Sequence, residues 1–249
     1  MVKYIKYLSV VAEDGENASL SGSEKHLSLM KKYKYILFDL DGTLTYSHPG
    51  IYRCLRFALD FLGKPEPTEK QLRSCVGPPL TYSFSVIFGL SEAETELAVK
   101  KYRELYAAEG LFENDPIPGA LDALRVLHES GYILAVATSK PRIFAEKIVG
   151  KFGFLPFLDV VAGSGTDGSL NTKADVIREA LRLLNASEKD CLMVGDQIYD
   201  AVGARTCGID FAGLDIGYAA EGELAAQKPD YLFSSFKELE KLLTGGAQN

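Results

Sequence analysis

The chain is short of the residues that build thiolate metal centres, disulfide frameworks and membrane anchors. Its four cysteines, Cys54, Cys75, Cys191 and Cys207, form no C-x-x-C pair and lie far apart. That spacing argues against a zinc centre or a disulfide scaffold and fits reduced thiols in a cytoplasmic protein. The three histidines, His26, His48 and His128, show no metal-ligand spacing either. No stretch approaches the roughly 18 consecutive apolar residues of a membrane span. Residues 7–12 are apolar, but Glu13, Asp14 and Glu16 close the run before it reaches the length of a secretory core, so no export is expected. A basic excess is also missing. The net charge of -7 and pI of about 5.1 argue against broad attraction to nucleic acid or to an anionic membrane, so an anionic ligand has to be held by local groups. Internal repeats and low-complexity tracts are absent.

What is present is the composition of a globular protein, 249 residues with 47% hydrophobic and 24% charged. Domains of roughly 100–200 residues make a core with a smaller insert the natural division. Residues 1–29 read as an N-terminal extension, in which an apolar start gives way to a polar stretch before Met30 and the basic run Lys31-Lys32-Tyr33-Lys34. Two readings stay open there: an extension upstream of a start at Met30, or an added strand or helix that packs on the core.

From Tyr35 strands and helices alternate, the pattern of a parallel sheet with helices on both faces. Residues 35–40, 132–137 and 191–194 are near-continuous apolar runs that end in polar residues, as buried central strands do. Weaker strands are predicted at 158–162, 210–214 and 230–233, and helices at 119–129, 141–152 and 174–184. The fold class expected is therefore α/β. A Rossmann-like open parallel sheet core takes residues 30–46 and 118–249, and a small all-helical cap domain, residues 47–117, is inserted after the first core strand. In that insert Thr68 with Gln71 and Ser91 with Glu94 match the capping box that opens helices, and no strand is evident. An insert at this point would sit over the carboxyl edge of the sheet and act as a water-excluding lid.

Ligands of open parallel sheets bind beyond the carboxyl ends of the strands, where Asp39, Asp41, Thr138 and Asp196 all fall. Asp39 and Asp41 are two apart, so a continuing strand puts both carboxylates on one side. Two like charges crowded in a crevice call for a cation or a shared proton. Gly42 and Thr43 follow as a tight turn whose backbone amides can approach an anion.

The run Asp39-Leu40-Asp41-Gly42-Thr43-Leu44-Thr45 resembles the first motif of the haloacid dehalogenase superfamily, D-x-D-G-T/V-L/V. Thr138 after an apolar strand resembles the second motif, Lys173 at a helix start the third, and Gly195-Asp196-Gln197-Ile198-Tyr199-Asp200 the fourth, G-D-x-x-x-D. The resemblance spans roughly residues 33–243, and the helical insert, with its Val76-Gly77-Pro78-Pro79-Leu80 loop, is similar to the cap of the phosphoglycolate phosphatase-like branch.

The resemblance implies a phosphatase with Mg²⁺ as cofactor. Asp39 attacks phosphorus, Asp41 is general acid and then general base, Thr138 binds a phosphoryl oxygen, and Lys173 offsets negative charge. Mg²⁺ is implied on Asp39, on Asp196 and on the backbone carbonyl of Asp41, with Asp200 holding a metal-bound water or orienting Lys173. Substrate contacts are expected from Gly42, Thr43, Ser139 and Gly77, with Ser139 and Lys140 contributing a backbone amide at most. Those residue types suit the chemistry, because phosphoryl transfer needs positioning and charge neutralisation more than elaborate covalent steps. The partner expected is a small phosphorylated metabolite such as phosphoglycolate, a sugar phosphate or a nucleotide, with no nucleic acid and no membrane.

Arg53 and Arg56 in the first cap helix read as solvated surface residues, and His48 as a hinge residue without chemistry. Many relatives carry an acidic residue where this chain has Tyr46. A phosphomutase using the same residues and a catalytically silent phosphate-binding module are the alternative functions.

Overall fold

The computed structural model describes residues 33–245, so the N-terminal extension expected at residues 1–29 lies outside the described residues. In chain order the elements are β1 (Tyr35–Phe38), β2 (Thr45–Tyr46), α1 (His48–Phe61), α2 (Glu69–Ser74), α3 (Glu92–Ala108), β3 (Asp115–Pro116), α4 (Ala120–Glu129) and β4 (Ile133–Pro141). They continue as α5 (Arg142–Lys151), β5 (Val160–Ser164), α6 (Lys173–Leu184), β6 (Cys191–Gly195), α7 (Ile198–Cys207), β7 (Asp210–Leu214), α8 (Glu223–Ala226), β8 (Tyr231–Phe233) and α9 (Phe236–Thr244).

Six strands form one parallel sheet in the order β5-β4-β1-β6-β7-β8. The most apolar run lies at its centre, because a strand with neighbours on both sides and helices on both faces has no side left for water. Tyr35 pairs in register with Ile133 on one side and Cys191 on the other, and Phe38 with Val136 and Val194. Period-2 alternation then splits the core into two layers. Ile36, Phe38, Leu134, Val136, Leu192 and Val194 face one layer, which α4, α5 and α9 complete. Leu37, Ala135, Ala137 and Met193 face the other, under α6 and α7, and the small alanines let those helices come close.

The helical insertion lies between β2 and β3, as the sequence pattern implies. Both capping boxes form: Thr68 opens α2 with Gln71 reciprocating, and Ser91 opens α3 with Glu94. Between those helices a short turn, Leu80–Tyr82, runs into a π-turn, Ser83–Ile87. Helices α1 and α3 pack against each other as the body of the insert. One feature differs from the all-helical expectation. The chain enters and leaves the insert through a two-residue antiparallel ladder, Thr45 opposite Pro116 and Tyr46 opposite Asp115. So short a ladder, containing proline and aspartate, has no apolar alternation for a strand pattern to register. No helix among the described residues is long and apolar enough to cross a membrane.

Phe38 is fully buried at the centre of the sheet. Phe38→Ala is expected to lower stability by ~3–5 kcal/mol in a chemical denaturation series. A loss under about 1 kcal/mol would contradict this account of the core.

Candidate active site

Beyond Phe38 the chain holds its course for one more residue, since the Asp39 N–H donates to the Val194 carbonyl at 2.9 Å. It then folds back on itself. The Leu40 carbonyl accepts the N–H groups of Leu44 and Thr45, each at 2.9 Å, and the Gly42 N–H donates to Thr45 O at 2.8 Å. This turn brings Gly42 to φ 92, where a side chain is strained, and a Cβ there would overlap the Asp196 carboxylate and the Tyr218 ring. Asp39 and Asp41 therefore leave the turn on the same side and line one cavity of about 230 Å³, along with Thr138, Ser139, Lys173 and Gly77.

The floor of the cavity is a charged cluster. Lys173, at the first turn of α6 after the Thr172 cap, places its ammonium 2.6 Å from Asp39 Oδ1 and 2.8 Å from Asp200 Oδ1, and donates to the Ala137 carbonyl at 3.2 Å. The lysine reaches that point because its stem crosses Gly203 on α7, where a Cβ would lie 2.6 Å from Lys173 Cγ. Burial alone would depress the ammonium, but the Asp200 and Asp39 carboxylates outweigh it and hold its pKa above the usual lysine range. Asp200 also receives the Gln197 N–H at 3.0 Å, so it caps α7 and orients Lys173 at once. Asp196, at the end of β6, is fully buried and held on both oxygens, by the Thr43 hydroxyl at 2.8 Å and the Tyr218 N–H at 2.7 Å. Burial first, then the neighbouring Asp200 and Asp39 charges, push its pKa well above the ordinary carboxylate range. Burial pushes Asp39 up to about 6, with Lys173 opposing.

Asp39, Asp196 and Asp200 present carboxylate oxygens that all lie within 4.8 Å of one another. Three buried acids against one buried ammonium leave an excess of negative charge, which adds to burial in raising the pKa values of Asp39 and Asp196. An all-oxygen donor set of this kind fits a hard divalent cation, so the cluster can hold a metal ion. The Asp41 side chain is not in this group.

Asp41 is engaged elsewhere, with the side chain of Lys140, from which the sequence implies a backbone contact at most. Its Oδ2 lies 2.8 Å from the ammonium of Lys140, which also donates to the Tyr106 hydroxyl of α3 at 2.7 Å and sits 4.7 Å from that ring's centroid. Lys140 is 8% exposed, a burial that a lysine tolerates only when paired. The available signal was strand length. The apolar run ends at Ala137, but β4 continues to Pro141 with a register shift against β5 between Thr138 and Pro141, and Thr138, Ser139 and Lys140 all line the cavity. The Lys140 N–H donates to Thr138 Oγ1 at 3.2 Å, and the Ser139 carbonyl accepts the Ser164 hydroxyl at 2.8 Å.

Further links join the insert to the sheet edge. Gln197 donates to the Val76 carbonyl at 2.8 Å beside Gly77, Arg73 donates to the carbonyls of Tyr218 and Ala219 at 3.0 Å each, and Arg103 donates to Thr166 O at 2.9 Å. Arg53 and Arg56 lie outside the cavity and pair on the surface, Arg53 with Glu109 and Glu113, and Arg56 with Glu66 and Glu69. The His48 N–H donates to the Tyr218 hydroxyl at 3.1 Å at the hinge, and His48 is not among the residues of the acid cluster.

An open parallel sheet with its charged cluster at the carboxyl edge, roofed by helices, is the arrangement of an α/β enzyme. More narrowly, the chain belongs to the haloacid dehalogenase-like hydrolase family, whose pattern it matches over residues 36–214. It is 38% identical to a 5'-nucleotidase of Pseudomonas aeruginosa over 85% of this chain and 96% of that one. It is 39% identical to the tyrosine-protein kinase PtkA of Mycobacterium tuberculosis over 74% of this chain but only 62% of that longer protein. The crystal structure of a predicted phosphatase from Clostridium acetobutylicum superposes with a TM-score of 0.82 at 36% identity, covering 86% of this chain and 99% of the other. Phosphoglycolate phosphatases of two Vibrio species are also relatives.

The raised Asp39 pKa fixes the sign of a pH effect. In the metal-free protein this group favours the folded state below its ordinary value of 3.8, and that contribution is lost as pH rises through about 6. A cation replaces the proton, so Mg²⁺ is expected to raise the melting temperature more at pH values well above about 6 than below it. Melting curves with Mg²⁺ and with chelator across that range check this. A shift that grows as pH falls would refute it.

Proposed function

We propose that the chain hydrolyses a small phosphate monoester, with Mg²⁺ as cofactor, by passing the phosphoryl group through Asp39. The observation that carries this reading is the buried contact of Lys173 with Asp39 Oδ1 at 2.6 Å, on the floor of a cavity that Asp41 also lines. A lysine on one oxygen holds the carboxylate in a single orientation and leaves the other oxygen to attack.

In the first half-reaction an Asp39 oxygen forms a bond to phosphorus as the ester oxygen departs, and that oxygen takes a proton from Asp41. In the second, water attacks phosphorus, Asp41 accepts the water's proton, and the bond from phosphorus to Asp39 breaks, releasing phosphate and restoring the carboxylate. A carboxylate nucleophile suits this division because the mixed anhydride it forms is readily hydrolysed. Lys173 offsets charge on nucleophile and phosphoryl group, and Thr138, with the backbone of Ser139, binds phosphoryl oxygens, whereas the N–H groups of Gly42 and Thr43, expected from the sequence to contact substrate, are held within the turn by Thr45 O and Leu40 O. Asp39, Asp196 and the Asp41 carbonyl would hold Mg²⁺, with Asp200 held to Lys173. When bound, Mg²⁺ supplies charge neutralisation on the phosphoryl oxygens.

The relatives named as a 5'-nucleotidase and phosphoglycolate phosphatases support the substrate class. Phosphate release from a panel of monoesters, with Mg²⁺ and with chelator, tests the proposal. Turnover is expected to require the metal, and Asp39→Asn to lower kcat by at least about a thousandfold with the fold intact. An Asp39→Asn protein at the parental rate would overturn the reading. An isomerised sugar phosphate with no free phosphate would replace hydrolysis by phosphomutase chemistry.

A further inference from the structure

Lys140 is the buried charge that the reaction as derived above does not use. Lys173 already neutralises the nucleophile, and Lys140 pairs with neither Asp39 nor the other acids of the cluster among the described residues. Its ammonium instead bridges two residues of different origin, Asp41 from the sheet edge at 2.8 Å and Tyr106 from the insert at 2.7 Å. The two oxygens of Asp41 are thereby made unequal. Oδ2 is committed to Lys140, whereas Oδ1 is buried and has no hydrogen-bond partner among the described residues. A carboxyl free on both oxygens can rotate, but one pinned on Oδ2 presents Oδ1 in one direction only. Tyr106 is itself fixed, stacked on Tyr102 at 5.4 Å between centroids and edge-on to Phe144 at 5.5 Å. The position of the ammonium therefore depends on where α3 sits.

We propose that Lys140 is a positioning residue for Asp41, and that its bond to Tyr106 makes the correct placement of the Asp41 carboxyl conditional on the helical insert being closed over the site. The proposal rests on the reading of Asp41 as the group that exchanges a proton with the leaving oxygen. It gives insert closure a chemical task besides excluding water, because with α3 withdrawn Lys140 loses one of its two anchors and Asp41 loses its fixed orientation.

A lysine that positions the acid affects bond cleavage in proportion to how much the leaving group needs a proton, whereas a lysine that merely binds phosphate, or that only supports the fold, affects all esters alike. The test compares benzyl phosphate, whose alkoxide must be protonated as it leaves, with 4-nitrophenyl phosphate, similar in size, whose phenolate need not be. The readout is kcat/KM, which reports the steps through loss of the leaving group.

Lys140→Met, which keeps the length and apolar stem of the side chain, is expected to lower kcat/KM about 100-fold for the benzyl ester and less than about 5-fold for the nitrophenyl ester. Tyr106→Phe keeps the stacked ring, so the fold is retained even should Lys140→Met not fold, and is expected to show the same selectivity at about 5-fold for the benzyl ester. Equal losses on the two esters, or no loss in either variant, overturn the proposal while leaving the phosphatase reading standing. A wild-type protein that cleaves neither ester in Mg²⁺ overturns both.

Discussion

An ammonium buried between two carboxylates costs desolvation energy that its mutual attractions offset only in good geometry, and breaking such a group leaves unpaired charge inside the protein. At the sheet edge this constraint propagates outward from Lys173. Gly203 has to be a glycine because the lysine stem crosses it, and Ala137 has to offer its carbonyl. Asp200 has to serve as helix cap and counter-ion together. Asp196 accepts from two neutral donors, the Thr43 hydroxyl and the Tyr218 N–H. The site is thus assembled from the ends of β1, β4 and β6 and the starts of α6 and α7, each placed by the parallel topology.

A second charged pair, Lys140 with Asp41, stands beside the first without merging with it. The separation divides labour between two lysines on one cavity, one facing the nucleophile and the other facing its companion acid. It also distributes the insert's attachments. Lys140, Gln197 and the loop around Tyr218 each join site residues or their immediate neighbours to α3, to the Gly77 loop and to α2, so closure is registered at several points of the same edge.

Much of this was legible beforehand, and for local reasons. The central strands announce themselves through continuous apolar runs, the aspartate pair through its spacing and tight turn, and the cap helices through boxes at Thr68 and Ser91 that the structure reproduces. The parts that were not legible depend on distant partners. Tyr106 is 34 residues from Lys140, and nothing near either one advertises the other. Tyr218 reaches Asp196 from 22 positions further along the chain, with α7 and β7 in between. The small residue under the Lys173 stem, Gly203, reads in the sequence as one more glycine in a helix. The ladder of β2 and β3 is too brief to leave a periodic trace.

That ladder carries a consequence of its own. Because Thr45 and Tyr46 lie directly against Pro116 and Asp115, the two crossings between sheet and helices occur side by side. A segment tethered through a paired seam of this kind behaves as a detachable cassette. Its length can change without altering the register of β1 with its neighbours, because the two ends of the segment stay side by side at the seam.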